Sequence, residues 1–353
     1  MPSTTSITMF KPATILFTDP HLSEKAEDQY RFDIFPWCVK NYATKATTVI
    51  IPGDLTDRKD RHADWFVNKV VENVRLLSES FTVYIMMGNH CYSANPKEPF
   101  FRFLGGMLNV IYIREPVMLH VPVGGKGKRK VFFLPHTRHP EKEWGGYQFK
   151  NCDAIFMHQT FRGAKSESGF ELDGLNPSAF KGMGCPIFSG DVHNPQQVGP
   201  ITYIGCPWHV HYGDRFQPRV LIADADFKTQ PAHFPAPQKL VLDITSPGNL
   251  KDTRHRINEG DRVKVRLYLP RAEFIDWPKH RDKIKAVCKE LKVELHGIEL
   301  KELVRGRPRP RLVQVKSKAA RGRAETFEAY CQQRQIDSVT AAIGKELLDA
   351  ETN

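Results

Sequence analysis

Five short polar motifs, each directly after an apolar run, constrain this chain more than any other feature of its 353 residues. They are Asp19-Pro20-His21, Gly53-Asp54, Gly88-Asn89-His90, His158 and Gly190-Asp191-Val192-His193. The runs before them, Ala13–Thr18, Thr48–Pro52, Val83–Met87, Asp153–Met157 and Pro186–Ser189, read as buried strands. A side chain at a strand end is held by a rigid element and points to the sheet edge, where open α/β sheets place their chemistry. Between the first three motifs lie two helical patterns. Glu24–Thr44 carries Tyr30, Ile34, Trp37, Cys38 and Asn41 at near-helical spacing, and His62–Ser80 carries Trp65, Phe66, Val70, Val74 and Leu77. This βαβαβ rhythm predicts a layered α/β sheet. Val110–Ile113, Val117–Val121 and Val131–Pro135 read as an antiparallel meander flanking a basic turn.

The motifs supply oxygen and imidazole groups and no thiolate. Hydrolysing a phosphodiester near neutral pH calls for an activated water and a clamp on developing charge, which two divalent cations ~3.5–4 Å apart provide. Asp54, the lone acid directly after a strand and a glycine, is the candidate bridging carboxylate. Asp19, His21 and His193 would complete one metal position, and Asn89, His158 and Asp191 the other. This donor set favours Mn²⁺, with Fe²⁺, Zn²⁺ and Co²⁺ as alternatives, over a structural zinc site. His90, next to Asn89, should face the open side and assist the leaving group, a task for an imidazole near pH 7. Asp57, three residues past Asp54, is the expected carboxylate partner that orients His90. Singly, each motif has an ordinary reading: Asp19 a turn former, Gly88-Asn89 a turn dipeptide, His158 a partly buried histidine. Their order, each after its own strand, carries the signal. His209 and His211 flank an expected hairpin and receive no role.

With 51 basic against 40 acidic side chains the chain carries a net charge of +11, which suits a polyanionic partner. The charge is concentrated. Lys301–Arg323 holds nine Lys or Arg and one acid, and Lys126–Lys130 reads as a basic hairpin tip. Either a solvated loop or a DNA contact accounts for both stretches; the DNA-contact candidates are Lys126, Lys128, Arg129, Lys130, Arg305, Arg307, Arg309 and Arg311. Seven cysteines with no Cys-x-x-Cys pair argue for reduced thiols. No apolar run reaches the ~20 residues of a membrane span, and Met1–Phe10 lacks a secretion signal's charged and apolar regions, so a cytoplasmic protein is expected. Composition shifts near Lys228, where Pro231, Pro235 and Pro237 punctuate an expected linker. Beyond it, Gln238–Ile244, Val263–Leu269, a helix over Pro278–Leu291 and a strand near Val293–Leu300 form a small β-β-α-β unit. The division expected is a catalytic domain over 1–228, a cap over 229–305, a basic linker over 306–324 and helices over 325–353.

Asp19-Pro20-His21, Gly53-Asp54-Leu55-Thr56-Asp57, Gly88-Asn89-His90, His158-Gln159-Thr160 and Gly190-Asp191-Val192-His193 resemble the five signature blocks of calcineurin-like metallophosphoesterases. Within that superfamily the chain is most similar to SbcD-type DNA repair and recombination nucleases, particularly the compact versions that phages encode. Tyr203-Ile204-Gly205-Cys206-Pro207 and Tyr212-Gly213-Asp214 are similar to the segment after their last histidine block. The resemblance implies a four-layer αββα sandwich with a small α+β cap and C-terminal helices. It also implies a manganese-dependent exonuclease and endonuclease on double- and single-stranded DNA. By the same resemblance, the chain would form a homodimer and pair with an SbcC-like coiled-coil ATPase, on which the helices of 325–353 dock. Asp191 stands where the family usually has a histidine, and Cys91 where an acid commonly follows the Asn-His pair. Two other functions compete: a stand-alone metallophosphatase or cyclic-nucleotide phosphodiesterase on the same fold, and a catalytically dead scaffold.

Overall fold

The computed structural model describes residues 11–91, 98–124, 127–145 and 151–303. The segments expected as basic linker (306–324) and C-terminal helices (325–353) lie outside the described residues. So do Lys126, Arg305, Arg307, Arg309 and Arg311.

The chain begins with parallel strands β1 (Thr14–Leu16), β2 (Thr48–Ile51), β3 (Thr82–Met86) and β4 (Val110–Ile113). A 3-10 helix (Ala26–Asp33) running into α1 (Ile34–Tyr42) makes the first crossover, and α2 (Asp64–Ser78) the second. β4 corrects the expected meander: it is the parallel edge of this first sheet. A four-residue apolar run states that a strand is buried but not which sheet accepts it. The hairpin β5 (Val117–Pro122) and β6 (Lys128–Leu134) opens a second sheet. After the short helix α3 (Pro140–Trp144), it continues through β7 (Ala154–His158) and β8 (Ile187–Gly190), both parallel to β6. The strands β9 (Gln196–Val198) and β10 (Ile201–Tyr203) close that sheet. The chain then returns antiparallel to β1 as β11 (Val220–Ala223), with β12 (Thr229–Ala232) outside it. The stretch expected as a linker is thus partly an edge strand, and Pro231 is tolerated there because an edge position need not donate on its outer side.

The two six-stranded sheets pack face to face, with alternate side chains sorting between layers. On β2, Val49 and Ile51 face Phe35, Phe66, Val70 and Val74 of the helices, whereas Ile50 enters the layer between the sheets with Tyr84, Phe133, Phe156 and Phe188. The rings of Tyr84 and Phe133 stack at 5.5 Å and those of Phe156 and Phe188 at 5.1 Å. On the far face of the second sheet, Phe132, Ile155 and Met157 are covered by Trp144 of α3, Phe161 and Phe180. The αββα sandwich that the family resemblance implies is therefore present, its second outer layer thinner than its first. Among the described residues, no helix is long and apolar enough to cross a membrane.

A third sheet holds β13 (Lys239–Ile244), β14 (Arg262–Leu269) and β15 (Glu294–Glu302), all parallel. Parallel neighbours need a crossover, so the expected β-β-α-β order gains an element between its first two strands. The short helix α4 (Asn249–Asp252) and a 3-10 turn (Arg254–Arg256) make that connection, and α5 (Trp277–Glu290) makes the next. Leu242, Val263, Val265, Leu267, Ile284 and Cys288 give this unit its own small core. One buried carboxylate ties it to the first domain: Asp28 pairs with Lys239 and Arg31, each at 3.0 Å, and lies 3.9 Å from Arg262. Arg262 also lies over the Tyr30 ring, and His296 stacks on Tyr212 at 4.5 Å.

Candidate metal centre

The ligand loops leave the C-terminal ends of β1, β2, β3, β7 and β8, and the first two remain laced together beyond their strands. The Asp19 amide donates to the Gly53 carbonyl, the His21 amide to Asp54 and the Leu22 amide to Leu55. Four of the cluster residues, Asp19, His21, Asp54 and Asp191, have left-handed backbone with φ of 53°, 42°, 49° and 77°. Such conformations are uncommon outside glycine and are kept only where surroundings over-determine them. Glycines give the side chains room to meet. A methyl on Gly53 (φ 110°) would stand 1.9 Å from His158 Nδ1, and one on Gly88 2.1 Å from Asp54 Oδ1.

All seven expected ligands converge. His21 Nε2 and His193 Nε2 lie 3.1 Å apart, with Asp19 Oδ1 and Asp54 Oδ2 at 3.9 and 3.8 Å from the former. His158 Nε2 is 3.5 Å from Asp54 Oδ2 and 3.9 Å from both Asp19 Oδ1 and Asp191 Oδ1. Asp19, His21 and His193 form one group able to hold a cation, and Asp19, Asp54 and His158 another, sharing Asp19. Asp191 joins at the margin: its other carboxylate oxygen accepts from the Thr160 hydroxyl, and its amide donates to the Asp19 carboxylate at 3.2 Å.

Two observations test whether these residues fit divalent cations. The Asn89 carboxamide presents its oxygen 3.0 Å from His158 Nε2. Turned over, the same amide would donate to the Asp54 carboxylate and to His158. In either orientation the amide reaches His158 beside the Asp54 carboxylate, the placement that a ligand from this loop requires. The second observation is the far side of each ring. His158 Nδ1 lies 2.7 Å from the Pro52 carbonyl, which sets that nitrogen as donor and turns Nε2 toward the cluster. The site's field also attracts positive charge. Burial opposes ionisation of Asp54, but His158, His21 and His90 outweigh it and hold the carboxyl below the usual range. Burial disfavours a charged His158, yet Asp54 and Asp19 raise it to about 10. Burial pushes Asp19 up to about 6 against the opposing pull of His158 and His193.

His90 is more open than the buried ligands, with 34% of its side chain exposed and Nε2 4.0 Å from Asp54 Oδ2. Its amide donates to Asp54 Oδ1 at 2.8 Å. The expected Asp57 carboxylate partner is corrected to the Asp57 backbone carbonyl, 2.5 Å from His90 Nδ1. The carboxylate instead lies 3.9 Å from His21 Nδ1, because the Asp57 amide is bound back to the Leu22 carbonyl and the loop turns the side chain that way. His21 and Asp54 also form a cation-sized group with His90, which places His90 against the expected ligands.

Among the described residues, the expected basic contacts do not join this cluster. Lys128, Arg129 and Lys130 begin β6, and Lys130 is level with Asp153, five residues before His158 on the parallel neighbour, about 16 Å away at ~3.3 Å per residue. Arg129 is also committed to Asp226 and to the Ala225 carbonyl. Cys91 is buried, its thiol pushed up to about 11 chiefly by burial, which fits a filler rather than a reactive thiolate. His209 is a buried structural residue, its Nε2 2.9 Å from the Phe216 carbonyl. Three contributors escaped the sequence reading: Arg31, which donates to the His21 carbonyl, Thr160 on Asp191, and Glu167, 3.0 Å from His193 Nδ1. Arg31 and Glu167 belong to no motif, and Thr160, although inside the His158-Gln159-Thr160 block, carried no assigned role.

The calcineurin-like phosphoesterase family model matches residues 13–195, a span containing all five motifs. The chain is similar to phosphoesterase 244L of Invertebrate iridescent virus 6, with 22% identity over 270 residues covering 71% of this chain and 85% of that protein. Among solved structures it is similar to the Pseudomonas putida nuclease MPE, at 13% identity with a TM-score of 0.33, covering 62% of this chain and 87% of the other.

Proposed function

The chain belongs to the calcineurin-like phosphoesterase family, and from that membership we propose a two-metal, manganese-dependent DNA nuclease of the SbcD type. Membership makes it a hydrolase of phosphoester bonds that uses divalent metals. The observation carrying the proposal further is the convergence around Asp54 of oxygen and imidazole ligands from five strand ends, with His90 open beside them. Two divalent cations held there would supply Lewis-acid stabilisation of charge on the phosphoryl oxygens and an acidified water. Asp19, His21 and His193 would hold one and Asn89, His158 and Asp191 the other, with Asp54 between. His90, its Nδ1 fixed by the Asp57 carbonyl, presents Nε2 to the open side and protonates the departing alkoxide.

DNA as substrate is supported by the net charge of +11 and by the third sheet anchored beside the ligand loops. The link runs from the His21 carbonyl through Arg31 and Asp28 to Lys239. An enzyme of small phosphomonoesters has no need of such a cap. In this reading the chain acts as exonuclease and endonuclease on double- and single-stranded DNA in the cytoplasm, that of the host if phage-encoded. It forms a homodimer and docks residues 325–353 on an SbcC-like ATPase. The test compares linear DNA with a small phosphomonoester, with Mn²⁺ and after chelation. Metal-dependent DNA cleavage is expected. Phosphomonoester turnover far above DNA cleavage would instead support the stand-alone phosphatase.

His90→Ser should lower DNA cleavage by about 10²–10⁴-fold, the usual contribution of a positioned proton donor, while Mn²⁺ affinity measured by calorimetry stays within a few-fold. Loss of metal instead would make His90 a ligand.

A further inference from the structure

We propose that Glu167 is the positioning residue for His193, holding its ring from the far side so that Nε2 points into the metal centre. The inference rests on the metal-centre reading above and adds a residue that no motif contains. His193 has a close neighbour at both nitrogens: Nε2 is 3.1 Å from His21 Nε2, and Nδ1 is 3.0 Å from Glu167 Oε1, an ion-pair contact rather than an aligned hydrogen bond. His158 and His90 present their Nδ1 atoms to backbone carbonyls, of Pro52 and Asp57. His193 has a carboxylate in that place. A carboxylate behind a ligating imidazole fixes its tautomer and raises its basicity more than a neutral carbonyl does.

A glutamate side chain is too flexible to orient a ring unless its backbone is fixed. Here it is. Glu167 lies at the tip of a small turn closed by the Lys165–Glu171 bridge and by backbone hydrogen bonds between Ser166 and Phe170 and between Leu172 and Ala164. The Gln196 side chain clamps that turn: its oxygen accepts from the Lys165 amide at 2.7 Å, and its nitrogen donates to the Lys165 carbonyl at 2.7 Å and the Asn194 carbonyl at 3.0 Å. Gln196 begins β9, three residues after His193, so one side chain ties the segment following the ligand to the loop beside it. Glu167 and His193 are 24% and 14% exposed, so the pair is only partly screened by water.

Because Glu167 touches His193 and not His158, its effect should fall on one metal position. Mn²⁺ titration by calorimetry would be run on the full chain and on Glu167→Ala, Glu167→Gln and Gln196→Ala, with circular dichroism and denaturation midpoints reporting the fold. Glu167→Ala should weaken one site by about 10–100-fold, the usual effect of losing a group behind a ligand, and leave the other unchanged. Glu167→Gln, which keeps an acceptor oxygen, should recover most of that loss. Gln196→Ala should weaken the same site by a smaller factor. Should Glu167→Ala fail to fold, the other two variants carry the test. Titrations of the variants matching that of the unaltered chain, or an equal loss at both sites, would overturn the role of Glu167 alone. An unaltered chain that takes up no cation would remove the metal centre and this proposal together.

Discussion

Asp54→Asn should lower kcat/KM for DNA cleavage by about a thousand-fold or more, beyond the ~10–100-fold typical of losing a group that merely supports a ligand. The substitution keeps volume and an oxygen that can still accept from the His90 amide, now at 2.8 Å, so the loop has little reason to move. It removes the charge that His21, His158 and His90 all face, at 3.8, 3.5 and 4.0 Å. An amide offers one oxygen and no formal charge where two cations need a shared anion. Metal titration should therefore show both positions weakened, in contrast to the one-site effect expected for Glu167. A variant cleaving DNA within tenfold of the unaltered chain would show that Asp54 is not the bridge.

Gly53→Ala should be nearly as damaging, through sterics rather than charge. At φ 110° the residue already occupies backbone space that side chains rarely enter, and its new methyl would sit 1.9 Å from His158 Nδ1 and 2.5 Å from Cε1. The ring cannot yield without losing its contact with the Pro52 carbonyl and turning its lone pair from the cluster. Backbone strain and overpacking each cost about 1–3 kcal/mol, so a destabilisation of roughly 2–6 kcal/mol is expected. Denaturant unfolding with chelator present isolates this from metal binding. Gly297→Ala is the control, since nothing lies within 4 Å of that position and its φ is ordinary. Equal midpoints for the two variants would mean that His158 is not held as described.

These glycines also explain why the centre was legible in the sequence. A strand end, a glycine and a ligand form a local unit: the glycine is needed because another ligand occupies the space its side chain would take. Gly53 faces His158 and Gly88 faces Asp54, so residues far apart in the chain leave their mark beside one another. What stayed hidden depends on partners chosen only in three dimensions. A run such as Val110–Ile113 cannot announce which sheet it joins, nor could the stretch around Pro231 announce that it is an edge strand. The basic start of β6 was visible as charge, but its placement at the end of the sheet opposite His158 follows from parallel pairing with β7. His90 is oriented by a carbonyl, which every residue carries and no sequence pattern displays. Glu167 sits on a turn with no periodicity and reaches His193 only because Gln196 clamps that turn.

Whether Asp54 lies between two cations is measured directly by anomalous diffraction from crystals equilibrated with Mn²⁺. Two peaks ~3.5–4 Å apart are predicted, one beside Asp19, His21 and His193, the other beside Asn89 and His158, with Asp54 touching both. A single peak that Asp54 does not touch, or metal bound elsewhere on the chain with none among these side chains, would contradict it.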